Sequence, residues 1–263
     1  MNKLTLKLIV WHGMVAVLAW WVWSYGRSVS FNAVTGLNFS LSAGLAFVLL
    51  VGLIALEYIL FPARRWAVSI SAIVGLLFIA LFGFTWLNLL AVFGFWLFNF
   101  YSVSNVRNEM TGRTKLNPRI ALMSGLYPII IGFFLMISFA AYQSQVMKDI
   151  ERTERLPSQI QTLVQQVADQ MFGSNIESSP KQKQAILNQV ANDIYTEINN
   201  FFQPYFKYTP PILSFTLFLI LIGLSWIFAW LAMAMGLILF WILKKTKMVK
   251  VEERDTKAEV LIV

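Results

Sequence analysis

Apolar positions in this chain fall into six long runs, most of them near or beyond the roughly 20 residues that cross a bilayer core as a helix. The first is 8–25. It follows Lys3 and Lys7 as the core of a signal peptide would, but Trp20-Trp21-Val22-Trp23-Ser24-Tyr25 gives no small-residue cleavage site, so it predicts an uncleaved helix. The second, 41–61, is closed by Pro62 and Arg64-Arg65. From Trp66 to Val106 the chain carries no charged residue. One helix of that length would reach about 60 Å, twice a bilayer core. Gly83-Phe84-Thr85 offers a break, with Thr85 as cap for the helix that follows, and the expected spans are 67–83 and 86–101. The fifth is 120–142. The sixth, 212–243, is too short for two crossings and a turn, which need roughly 38 residues, so it predicts one long helix.

Between the fifth and sixth runs the pattern changes. Within 143–211, Ile160, Leu163, Val164, Val167 and Met171 repeat at helical spacing, ending at Phe172-Gly173. Ser179-Pro180 then reads as a cap and first helical residue. A second stripe follows: Ile186, Leu187, Val190, Ile194, Tyr195, Ile198 and Phe202, closed by Pro204 and Thr209-Pro210-Pro211. Two amphipathic helices of this size cannot enclose a core alone. Their stripes must meet the span ends, the headgroup layer, a second copy or a protein partner through 158–203.

Charge decides orientation. If the N-terminus is inside, Lys3, Lys7, Arg64, Arg65, Arg107, Arg113, Lys115, Arg119 and six bases in the tail 244–263 lie on the cytoplasmic side. Arg27 is the one base in a short outer loop; the other outer bases lie on the long 143–211 segment, which counts for little. Both termini are therefore expected in the cytoplasm, in a plasma membrane. The formal net charge of +8 belongs to that inner rim, where anionic lipid headgroups suffice to explain it and nucleic acid is not needed.

Composition agrees. Hydrophobic residues are 58% and charged residues 13% of the chain, far from a soluble domain. The fold class expected is an all-α polytopic membrane protein of about six transmembrane helices with an extracytoplasmic amphipathic helical hairpin. Residues 1–142 hold five spans, 143–211 the hairpin, 212–243 the sixth span and 244–263 a basic cytoplasmic tail.

Candidate chemistry is sparse. His12 and Glu57 are the ionisable residues inside spans, each about one turn from the cytoplasmic end, and Asn99 lies at similar depth. If their helices adjoin, a His–Glu pair there could act as a proton-sensitive lock or relay. The competing reading has Glu57 snorkelling or pairing with Arg64 or Arg65, and His12 beside Trp11 as an ordinary interfacial residue. Pro128 interrupts the fifth span as a candidate hinge, with the Ser124 hydroxyl near the carbonyl it frees. Ser225, Ala229, Ala232 and Gly236 mark a close-packing face on the sixth span; Ala121, Gly125 and Gly132 mark another on the fifth, and the two faces could meet. Trp20, Trp21, Trp23 and Tyr25 suit an outer aromatic belt, and Trp96, Tyr101 and Trp241 an inner one. Asn38-Phe39-Ser40 has the letters of a glycosylation sequon.

Catalysis is argued against by what is missing. There is no cysteine and a single histidine, so thiolate chemistry and paired-His metal sites have no residues to use. No aspartate lies in a span, Gly223-Leu224-Ser225-Trp226 lacks the second glycine of a Gly-x-Ser-Gly site, and no nucleotide or haem motif occurs. The expectation is a non-catalytic membrane protein, without cofactor or metal, presenting its hairpin to a partner or second copy; the alternative is a small transporter or channel subunit using a His12/Glu57 layer. One labelling experiment separates six full crossings from a re-entrant 67–101 hairpin. A cysteine replacing Thr85 should react with an impermeant thiol reagent added outside intact cells; silence there would reduce the crossings to four.

Overall fold

The computed structural model describes residues 3–28, 41–61, 63–111, 117–144, 147–148, 161, 164–165, 167, 180–246 and 248–249. Within them the chain is helical and contains no strand: α1 (Lys3–Ser28), α2 (Leu41–Leu60), α3 (Arg64–Phe82), α4 (Trp86–Thr111), α5 (Pro118–Tyr142), α6 (Pro180–Phe202), a 3-10 segment (Gln203–Tyr208) and α7 (Thr209–Lys245). All but α6 and the 3-10 segment are long and apolar enough to cross a membrane, six in number. This is an all-α polytopic membrane protein. The first helix of the expected hairpin and the sequon at Asn38 lie largely or wholly outside the described residues, as does most of the tail beyond Lys245.

The chain divides into two compact units, one of Met1–Ser28, Phe39–Phe139 and Phe218–Val263, the other of Val29–Asn38 and Ala140–Leu217. In the first, α2 is the central post. Every residue from Ala46 to Ile59 except Leu49 is buried, the pattern of a helix apolar on all sides because neighbours surround it. Helices α1, α3 and α4 pack on it. The sixth span reaches it through small residues. A Cβ on Gly52 would stand 2.9 Å from the Ala232 carbonyl oxygen, and one on Gly236 would meet Leu122 of α5 at 3.1 Å. Ser225, Ala229, Ala232 and Gly236 are all buried. The small face of α5 turns elsewhere: a Cβ on Gly125 would meet Val106 and Ser102, and one on Gly132 would meet Phe95, all on α4. The two small-residue faces do not meet each other, because α2 receives one and α4 the other.

Aromatic rings fill the middle of this unit. Trp23 of α1 lies edge-on to Phe78 of α3 at 5.0 Å and touches Phe133 of α5 at 5.6 Å. Phe133 meets Phe95 of α4 at 4.8 Å and Phe47 of α2 at 5.4 Å, and Phe47 meets Phe228 of α7 at 5.5 Å. One connected set of rings thus joins all six spans. Trp23 belongs to it rather than to an interfacial belt because Leu8, Trp11, Val15, Ala19 and Trp23 form the single buried stripe of α1. Trp20 and Trp21 face outward.

Helix ends depart from the expected ones at several places, α1 running Lys3–Ser28 and α3 starting at Arg64. Helix α4 continues past Tyr101 to Thr111, since its polar turns find partners: Ser104 Oγ donates to the Phe100 carbonyl at 2.9 Å and Ser102 Oγ to the Gly125 carbonyl at 2.8 Å. Helix α7 starts at Thr209, with Pro210 and Pro211 in its first turn where no amide hydrogen is required. At 37 residues it would be about 55 Å long, one helix rather than two. Pro204 does not end the preceding helical path outright but tightens it into the 3-10 segment leading to Thr209. Between α3 and α4, Gly83 has φ 95°, left-handed space that suits glycine. Thr85 Oγ1 accepts from the Asn88 amide at 3.2 Å, and Asn88 Nδ2 donates back to the Gly83 carbonyl at 2.8 Å. The turn is therefore stitched from both sides.

In the second unit, α6 buries Leu187 and Ala191, with Val190, Ile194 and Ile198 half-buried and Ile186 exposed. The described residues Gln161, Val164, Gln165 and Val167 are helical, and Gln161 Nε2 donates to Asn192 Oδ1 of α6 at 2.8 Å.

The contact between α2 and α7 predicts a sharp mutational contrast. Gly52→Ala forces backbone apart and should destabilise by about 1–3 kcal/mol, the usual range for overpacking, seen as a lower thermal midpoint in detergent. Gly13→Ala, where a Cβ meets nothing within 4 Å, should leave the midpoint unchanged or slightly raised.

Candidate functional site

At the end of the bundle where α1 begins, α2 ends and α3 begins, three polar side chains from three helices converge. Each sits there for a local reason. His12 lies one residue past the buried Trp11, at the edge of α1's packed stripe. Glu57 is carried on the wholly buried last turns of α2. Ser69 lies in the first turns of α3, which starts close to α2 because the Ala63 amide folds back onto the Phe61 carbonyl at 2.7 Å.

The geometry is tight. The His12 ring places Nε2 2.7 Å from Ser69 Oγ and 3.7 Å from Glu57 Oε1, while Nδ1 is 2.9 Å from the Leu8 carbonyl oxygen one turn earlier. Ser69 Oγ donates to the Trp66 carbonyl at 2.9 Å. The Trp66 ring stands edge-on to the imidazole, 5.9 Å between centroids. The Glu57 side chain is 0% exposed and that of His12 is 16% exposed. Neither Glu57 oxygen accepts a hydrogen bond among the described residues. A buried carboxyl without donors is costly to ionise unless an opposite charge adjoins it, and His12 is the ionisable side chain beside Glu57.

The two arginines that could have claimed Glu57 are engaged elsewhere. The Arg64 guanidinium lies 4.8 Å from the Phe100 ring centre and that of Arg65 lies 4.7 Å from the Trp66 ring centre. A flat cation over an aromatic face is a stable resting place at a membrane boundary. Glu57 neither snorkels to solvent nor pairs with them.

Asn99 shares this depth but not this cluster. Its Oδ1 accepts from the Tyr58 hydroxyl at 2.7 Å and its Nδ2 donates to the Phe95 carbonyl at 3.2 Å, all buried. Tyr58 follows Glu57 on α2 and points toward α4, whereas Glu57 points toward α1. The layer therefore has two halves back to back across α2. Sequence reading missed Ser69 and Tyr58. Ser69 is one hydroxyl and Tyr58 one aromatic ring in otherwise apolar runs, so only the partner identifies either.

Pro128 lies buried in α5. The Ser124 carbonyl, which its missing amide leaves open, takes Asn105 Nδ2 of α4 at 3.4 Å, and the neighbouring Gly125 carbonyl takes Ser102 Oγ. The Ser124 hydroxyl itself donates to the Ala121 carbonyl at 2.8 Å. The proline's surroundings are thus fastened to α4 by side chains rather than by Ser124. Trp226 and Trp230, deep in the sixth span, face outward, with Arg119 5.4 Å from the Trp230 ring centre.

Among the described residues no group of three or more His, Cys, Asp or Glu could hold a metal ion. Compared with protein-family models, with curated proteins and with solved structures, the chain finds no match in any of the three.

Tyr58→Phe tests the α4 half of the layer. It removes one hydroxyl and leaves the buried Asn99 Oδ1 without its donor, a loss of about 1–3 kcal/mol, read as a fall in thermal midpoint. Tyr101→Phe, on the exposed side of α4, should cause none.

Proposed function

We propose that the chain is a non-catalytic plasma-membrane protein, an accessory or interaction subunit. Both termini lie in the cytoplasm, and residues 143–211 lie outside, where the amphipathic stripes of 158–203 meet a protein partner or second copy. The observation that carries this reading is the aromatic fill of the bundle. Rings from all six spans meet in one connected set. A solute path needs polar, wettable positions at mid-depth, and here the mid-depth is occupied by phenyl and indole groups.

Two further features support it. Lys7 Nζ donates to the Met248 carbonyl at 3.0 Å, which brings the start of α1 beside the end of α7, as an even number of crossings requires. Anionic headgroups then suit the basic rim at both ends. In α6, Ile186 is exposed beside half-buried Val190 and Ile194, apolar positions that a partner or second copy would cover.

A second reading has one observation behind it. The His12–Glu57 contact would serve a small transporter or channel subunit if several copies enclosed a path between them. Proton flux into liposomes carrying the protein, abolished by Glu57→Gln, would establish that reading in place of the first.

The main reading is tested with single cysteines, since the native chain has none. Cysteines at Ile186, Val190 and Ile194 should crosslink in membranes to one discrete species, a dimer or a partner adduct, while Asn188 on the opposite face should not. Equal crosslinking on both faces, or none, would overturn it, as would a reporter inserted after Gln182 that proves cytosolic.

A further inference from the structure

We infer that His12, Ser69 and Glu57 form a built proton-binding site whose ligand, a single proton on His12 Nε2, clamps α1 to α2 and α3. The inference rests on hydrogen-bond directions and is independent of whether the chain serves as an accessory subunit or a transporter.

Each end of the His12–Ser69 chain is closed by a group that can only accept. The Leu8 carbonyl, 2.9 Å from Nδ1, requires a hydrogen on Nδ1. The Trp66 carbonyl, 2.9 Å from Ser69 Oγ, takes the one hydroxyl hydrogen that serine has. The central contact, Nε2 to Oγ at 2.7 Å, then has no hydrogen unless Nε2 also carries one. With all three bonds made, the ring is an imidazolium. The group that can balance it is in place: the Glu57 carboxyl is buried, with Oε1 3.7 Å from the same nitrogen and no hydrogen bond among the described residues.

Removing the proton reorganises the cluster in a defined way. The Nε2–H bond breaks, its electron pair stays on nitrogen, and the proton leaves to water at the part-exposed edge of the ring. Ser69 then turns its hydroxyl from the Trp66 carbonyl to Nε2, giving a neutral ring with its hydrogen on Nδ1. The cation facing Glu57 is lost, and with it an attraction that holds the three helices together. Among the described residues no other titratable group facing the cluster can replace the lost charge. On α2 Tyr58 is held by Asn99; on α3 Arg64 and Arg65 lie over Phe100 and Trp66; on α1 Lys7 reaches the Met248 carbonyl.

The chain has one histidine, so its imidazole can be read alone. Full-length protein labelled with 15N-histidine in lipid nanodiscs is followed by NMR from pH 5 to pH 9. Two protonated nitrogens at the acid end should give way to a neutral ring protonated on Nδ1. A neutral ring protonated on Nε2 would overturn the proposal. Ser69→Ala, which removes only the relay hydroxyl, should move the Nε2 resonance while leaving Nδ1 protonated; an unchanged Nε2 resonance would also overturn it. The thermal midpoint of the wild type should fall over the pH interval in which the ring loses its proton. That fall should vanish in His12→Gln, and the same profile in both proteins would count against the clamp.

Discussion

Inside a bilayer, apolar side chains gain nothing by leaving lipid for protein, so a bundle of greasy helices holds together only through close fit and the few polar bonds it can make. Ring packing supplies that fit here. The indole of Trp23 and the phenyl groups of Phe47, Phe78, Phe95, Phe133 and Phe228 come from six different spans and touch one another in sequence. Edge-to-face pairs of this kind add attraction beyond area alone. They also require each helix to present its ring at one depth and one angle. Because Phe133 touches rings from three neighbours, its position constrains α1, α2 and α4 together.

Around that plug the bundle handles backbone in two ways. Where helices must approach closely, small residues let them: Gly52 on Ala232, and Gly125 and Gly132 on α4. Where backbone acceptors lie open or within reach, neighbouring side chains fill them. Asn105 and Ser102 take the carbonyls beside Pro128, and Asn88 takes those at the end of α3. Polar residues that look like pathway elements in a hydropathy profile are thus largely engaged in joining helices. The His12–Glu57 pair is the exception. It brings two ionisable side chains within 3.7 Å of each other, at the end of the bundle where the His12 ring is part-exposed.

Much of this was legible in the chain itself, and residue types explain which part. The break at Gly83-Phe84-Thr85 follows from chemistry within five residues: a glycine free to take positive φ and a threonine able to cap. The long single α7 follows from counting apolar positions against bilayer thickness. That Ser225, Ala229, Ala232 and Gly236 share a face follows from helical periodicity. Other features depended on neighbours. The extent of α4 past Tyr101 could not be read because Ser102, Ser104 and Asn105 look like a polar exit from the membrane until their acceptors are located. Trp23 reads as a belt residue for the same reason: an indole suits either an interface or a core, and only packing distinguishes them.

Sequence alone determined the class of protein, the number and approximate lengths of its apolar helices and the shortlist of intramembrane ionisable groups, because each is a property of local composition or of periods of a few residues. Tertiary structure decided the partners. It assigned Glu57 to His12 rather than to the nearby arginines, paired Asn99 with Tyr58, brought Ser69 to the histidine and gave Pro128's open carbonyl to α4. Those contacts join residues 41 to 57 positions apart in the two principal polar pairs. They depend on which helix stands beside which and how each is rotated, and no local pattern of side chains encodes that.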